Sequence, residues 1–167
     1  MRTETSMEWV RRASDYRVLI AKRDRLGYPL GEVERARLDE LERFFTQDAN
    51  RRRAPWASRE QIRAPVSIVV QFGDAVGRAR DLSGEGMFVV TTAPLHVGAR
   101  TVLRVNDEPY VVRNDDDEDE GPYEQWQFGA EVVRLDKAGM GVRFVGIPLV
   151  LRISHRPNHD PQIRHAA

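Results

Sequence analysis

The 167-residue chain contains no cysteine. Disulfides and thiolate metal sites are thereby excluded, and a chain kept in a reducing cytoplasm is the expectation that fits. No apolar run approaches the roughly 18 residues that a membrane span requires. The opening MRTETSMEWVRR lacks the apolar stretch of a secretory signal, so export is not expected. Net charge is missing too. With 26 basic residues against 26 acidic ones, no whole-chain field draws nucleic acid or anionic lipid. Aromatics are sparse, and none cluster on a basic strand in the manner of RNA-binding sheets. The nucleophile elbow GxSxG, the phosphate loop GxxxxGKS/T and the zinc motif HExxH are all absent. Ser83 has no recognisable histidine base, and paired carboxylates occur only where nothing apolar would raise a pKa. An enzyme is not expected, and neither is a cofactor.

What is present divides in two. Trp9, Ala13, Tyr16 and Ile20 recur at helical spacing, with Ser6 in position to cap the helix. Leu26 to Gly31, with two glycines and a proline, interrupts that pattern. A second helix follows, with Glu32 and Glu34 in its first turn and Leu38, Leu41, Phe44 and Phe45 along one side. A hairpin of two such helices does not bury both stripes on itself, so residues 1–50 need a further surface. That surface is either the domain that follows or the same hairpin of a second copy, which would make a homodimer. Residues 51–58 then read as a linker, with Arg51–Arg53 a solvated basic run or an extra set of phosphate donors.

From Ala64 the texture changes to short β-branched runs punctuated by glycine, proline and acids. Val66, Ile68, Val70 and Phe72 alternate, which predicts one buried strand face. Gly73-Asp74 turns the chain into a second strand. Strict alternation there puts Val76, Arg78, Arg80 and Leu82 on one face, and Gly77, Ala79 and Asp81 on the other. Later strands are expected over 87–91, 101–105, 109–113, 123–135 and 141–145, and closure into a small barrel removes the exposed edges. The run IPLVLRI, 147–153, fits either a last strand or a short helical cap.

Two charged features carry sharper readings that fail. Asp115, Asp117 and Asp119 alternate as in an EF-hand loop, but Glu120 stands where glycine is needed and Trp126 where the bidentate glutamate belongs. A solvated acidic loop is the remaining reading of Asp115 to Glu120. His155 and His159 are four apart, but Pro157 and Pro161 forbid the helix that would align them. Residues 151–167 are read as a flexible tail, and no metal is expected.

The segment Arg59-Glu60-Gln61-Ile62-Arg63 fits RxxxR, and Asp81-Leu82-Ser83-Gly84-Glu85-Gly86 fits (D/N)x(S/A)xxG some 18 residues later. In this order, with these strands between, the pair resembles the two signature motifs of the PilZ domain, a bacterial receptor for cyclic di-GMP. The resemblance extends from about Trp56 to Val145. It takes in LHVGARTVLRV and the closing FGAEVVRLDKAGMGVRFVG. It implies a mainly β fold, a six-stranded antiparallel barrel over 59–150 preceded by the helical hairpin.

It also implies a binding site. Arg59 and Arg63 would grip phosphates and the guanine Hoogsteen edge, and Asp81 would meet a Watson–Crick edge. Ser83 would reach phosphate or guanine and Gly86 would leave room for the ligand, with Arg53 and Gly84 as auxiliaries. Many PilZ domains have one more arginine directly before RxxxR. Ser58 stands there, so the resemblance does not carry two stacked ligand molecules. The expected function is a cytoplasmic receptor that relays cyclic di-GMP to a protein partner. The alternative is a PilZ-like scaffold that binds no nucleotide, in which the arginine pair makes surface ion pairs with Glu60 or Glu85.

Overall fold

The computed structural model describes residues 5–47, 63–107 and 123–153. The linker, the expected 109–113 strand, the acidic loop and the histidine-bearing tail lie outside the described residues.

Helix α1 spans Ser6–Asp24. Its cap is Thr5, not Ser6. The Thr5 hydroxyl accepts from the Glu8 N–H at 3.3 Å while the Glu8 carboxylate accepts from the Thr5 N–H at 3.0 Å. Three residues separate a cap from its reciprocating glutamate, and Ser6 has Trp9 at that distance. The α1 C-terminus closes with the Leu26 N–H on the Ala21 carbonyl and Gly27 at φ 63°, the left-handed conformation that favours glycine. Helix α2 spans Glu32–Gln47, and Glu34 caps it by accepting from the Gly31 N–H. Lys22 donates to both Glu34 oxygens at 2.6 and 2.7 Å, which ties the two helices together.

Seven strands follow: β1 Ala64–Phe72, β2 Ala75–Leu82, β3 Gly86–Val90, β4 Arg100–Asn106, β5 Tyr123–Asp136, β6 Gly139–Phe144 and β7 Leu149–Ile153. The order β4-β1-β2-β3-β6-β5 closes on itself through β4–β5 pairing, so six antiparallel strands form a closed barrel. Closure leaves β5 with two partners along one edge, β7 over Tyr123–Gln127 and β6 over Ala130–Asp136. The 147–153 run is thus strand at its C-terminal end, and β7 crosses the expected domain boundary at 150. Ile68, Val70, Phe72, Met87, Val89, Phe128, Val142 and Phe144 fill the interior, with the Phe128 and Phe144 rings stacked at 4.6 Å.

The core does not stop at the barrel. Val10, Ala13 and Leu19 of α1 belong to one continuous apolar cluster with Ile68, Val105 and Trp126. Helix α1 packs on β1 and β5, and the Trp9, Phe44 and Phe45 rings join α2 to its other side. The hairpin therefore packs on the barrel of its own chain.

Strict alternation fails in β2. Ala79 pairs with Val89 and Asp81 with Phe88, so Arg80 is an extra residue against β3. On the other edge, Val66 and Ser67 of β1 lie opposite Arg80 alone. The double irregularity turns Leu82 into the core beside Ala79, whereas alternation had grouped it with exposed Val76, Arg78 and Arg80.

Candidate functional site

The same bulge aims Asp81. With Leu82 turned inward, the Asp81 carboxylate comes to the barrel rim beside Arg63, the residue that leads into β1. Arg63 Nη1 donates to Asp81 Oδ1 at 2.6 Å, with the two side chains 25% and 18% exposed. Arg80 Nη2 stands 3.7 Å from the other carboxylate oxygen. One carboxylate between two guanidiniums leaves net positive charge at the rim, with planar forks suited to phosphate or to a guanine acceptor edge. Among the described residues, Arg63 makes its ion pair with Asp81 and none with Glu85, while Glu60 lies outside them.

Ser83 and Gly86 lie in the turn from β2 to β3, and both serve the backbone. Ser83 is buried; its hydroxyl donates to the Gly86 carbonyl at 3.2 Å and accepts from the Glu85 N–H at 3.3 Å. A second bond, Ser83 N–H to the Gly86 carbonyl at 2.9 Å, closes the turn. A Cβ on Gly86 would collide with the Val142 carbonyl of β6, which is why no larger residue fits there. Gly86 thus gives clearance to a strand, alongside any room it leaves for a ligand. Gly84 is buried in the same bend, and the Glu85 carbonyl accepts from the Phe144 N–H at 2.7 Å. Among the described residues no histidine hydrogen-bonds Ser83. The His96 ring instead hydrogen-bonds the Val97 carbonyl at 3.1 Å.

Four residues that sequence reasoning missed complete the surface. Phe88 alternates away from core residues Met87 and Val89, yet it is fully buried on the outer face. The Arg80 guanidinium covers its ring at 4.2 Å and that of Arg134 at 5.4 Å. Gly141, opposite Phe88 across β6, would meet the Arg134 side chain if it carried a Cβ. The signal available was Arg80 beside Asp81; Arg134 is 53 residues on and becomes a neighbour only through β5–β6 register.

Arg59 and Arg53 lie outside the described residues. Among the described residues no three His, Asp or Glu gather as metal ligands, and no helix is long and apolar enough to cross a membrane. Comparison with curated proteins finds no match. The family model of the PilZ domain matches residues 50–154, which covers the whole barrel, the rim pair Arg63 and Asp81, and the Ser83–Gly86 turn. The chain therefore belongs to the PilZ domain family, a family of non-catalytic receptor domains associated with cyclic di-GMP.

Proposed function

We propose that this protein is a cyclic di-GMP receptor that relays the nucleotide to a protein partner in the cytoplasm. One observation carries the reading: the 2.6 Å bond that joins Arg63 of the first motif to Asp81 of the second at the barrel rim. Both polar groups that the nucleotide needs are preassembled there, and each holds the other in place. Ligand entry then exchanges partners. Guanine N1–H and its exocyclic amine replace Arg63 on the carboxylate, and the freed guanidinium takes a phosphate or the Hoogsteen edge. Arg59, on the segment just before, would close over the nucleotide, while Arg80 and Arg134, already stacked on Phe88, offer flat cations against a purine face.

Calorimetric titration with cyclic di-GMP, beside GTP and cyclic di-AMP, tests this. Saturable binding of cyclic di-GMP alone is the expected result. No binding at all would leave the scaffold reading, which one observation favours. Ser83 and Gly86 are required by the turn and by β6, so a barrel that binds no nucleotide would keep them as well.

A further inference from the structure

The row of outer-face residues next to Phe88 and Gly141 runs Gly86, Arg143, Glu131, Arg100 across β3, β6, β5 and β4. Where this row meets α1 and the exit of β6, a cleft of about 860 Å³ opens. Arg17 and Arg25 enter it from α1 and its C-cap, Arg143 and Arg100 from the strands, and Glu85 and Glu131 complete its charges. Glu131 lies 3.4 Å from Arg143 Nη2 and 3.7 Å from Arg100 Nε, so it is shared by two strand arginines.

Arg17 is not balanced in this way. Among the described residues its Nη2 reaches the Gly146 carbonyl, at a long 3.4 Å. Its Nε is buried and has no acceptor among the described residues. Buried donors are almost always paired, and cationic ones most of all. Burial pushes the Arg17 guanidinium below the usual arginine pKa, Arg25 pushes it further, and Glu85 only partly offsets them. Among the described residues, what Arg17 Nε lacks is an anionic acceptor, since Glu131 is held by two strand arginines. Among the described lining residues, four guanidiniums against two carboxylates leave two positive charges, which balance the two negative charges of a phosphate monoester above its second pKa of about 6. The volume falls within the range of about 300–1,000 Å³ typical of small-molecule sites.

We propose that this cleft is an anion site, separate from the Asp81 rim, that takes the phosphate monoester of a small metabolite. Arg17 Nε is its buried donor, and Arg25 and Arg143 are the forks that flank the phosphate. The assignment is independent of cyclic di-GMP binding.

The test is proton–nitrogen NMR of the arginine Nε–Hε groups on the full chain, at low salt, titrated with inorganic phosphate, ribose 5-phosphate and dimethyl phosphate. The expected result is a saturable shift of the Arg17 signal with ribose 5-phosphate, assigned by its loss in Arg17→Met. Dimethyl phosphate, a singly charged diester, should bind at least tenfold more weakly. Arg25→Gln and Arg143→Gln change exposed side chains that the fold does not need, and each should weaken binding about tenfold. Asp81→Ala should leave it unchanged. Linear, unsaturated shifts shared by exposed arginines and unaltered in Arg143→Gln would overturn the proposal, the unpaired Nε then being solvated by water. Displacement of ribose 5-phosphate by cyclic di-GMP would overturn the separateness of the site. Binding of inorganic phosphate but not of ribose 5-phosphate would overturn the ester.

Discussion

Asp81 sits between two guanidiniums, and this arrangement separates affinity from selectivity. Arg63→Ala removes a five-donor fork from an anionic ligand, and lysine does not restore the planar geometry. Charge-assisted bonds contribute about 1.5–3 kcal/mol each, so titration with cyclic di-GMP should show a ten- to hundredfold loss of affinity. The cost to the fold should be about 1.5–3 kcal/mol, because the pair is about three-quarters buried, with Arg80 left as a second cation beside Asp81. Asp81→Ala should retain weak binding and lose discrimination against cyclic di-AMP. Wild-type affinity in Arg63→Ala would move the site elsewhere. The turn residues behave in the opposite way. Gly86→Ala forces a methyl against the Val142 carbonyl, which should cost about 1–3 kcal/mol, and Ser83→Ala about 1 kcal/mol from two lost hydroxyl bonds. Both should lower the melting temperature in calorimetry, with any loss of binding following the loss of fold. A Gly86→Ala protein that melts like wild type but does not bind would show the ligand-clearance role.

At the scale of elements, legibility followed the range of the forces. The two helices could be read because spacing, the glycine–proline break and first-turn acids are local; only the cap was misplaced, by the one residue that separates Ser6 from Thr5 and its partner Glu8. The barrel strands were legible from alternation. The β2 bulge was not, because it exists only in register against β1 and β3, and it decides which way Leu82 and Asp81 face. The Phe88–Arg80–Arg134 cluster was hidden for the same reason. In the hairpin, hydrogen bonds from Lys22, and then from the Gly31 N–H, hold the Glu34 carboxyl below its ordinary 4.5. A carboxyl depressed in this way stabilises the fold above its unfolded pKa and loses that contribution as pH falls through the folded value. Glu34→Gln should therefore melt slightly lower than wild type at pH 7, and the gap should close at pH 3. An equal gap at both pH values would show that the pair contributes through packing alone.

The whole molecule constrains how a bound nucleotide is signalled. Ala13 and Tyr16 of the α1 stripe are buried within one chain, so a homodimer through that stripe loses the free surface it needed. Light scattering should return the 19.2 kDa monomer; a doubled mass would show another surface at work. The same burial bears on the relay. Swinging the hairpin away on ligand binding would expose Val10, Ala13 and Leu19 together with Ile68, Val105 and Trp126 beneath them. Each large apolar side chain so exposed costs about 1.5–3 kcal/mol, a sum beyond the differential binding that one nucleotide supplies. On the proposed receptor reading, the expected output is a change of surface at the rim, with α1 as a fixed part of the platform offered to a partner. Hydrogen exchange tests this on the full chain. Amides in the middle of α1 should exchange at the same rate with and without cyclic di-GMP, while those around Arg63 and the Ser83–Gly86 turn slow. Faster exchange in α1 on binding would mean that the helix is released, and the signal would then lie in the hairpin.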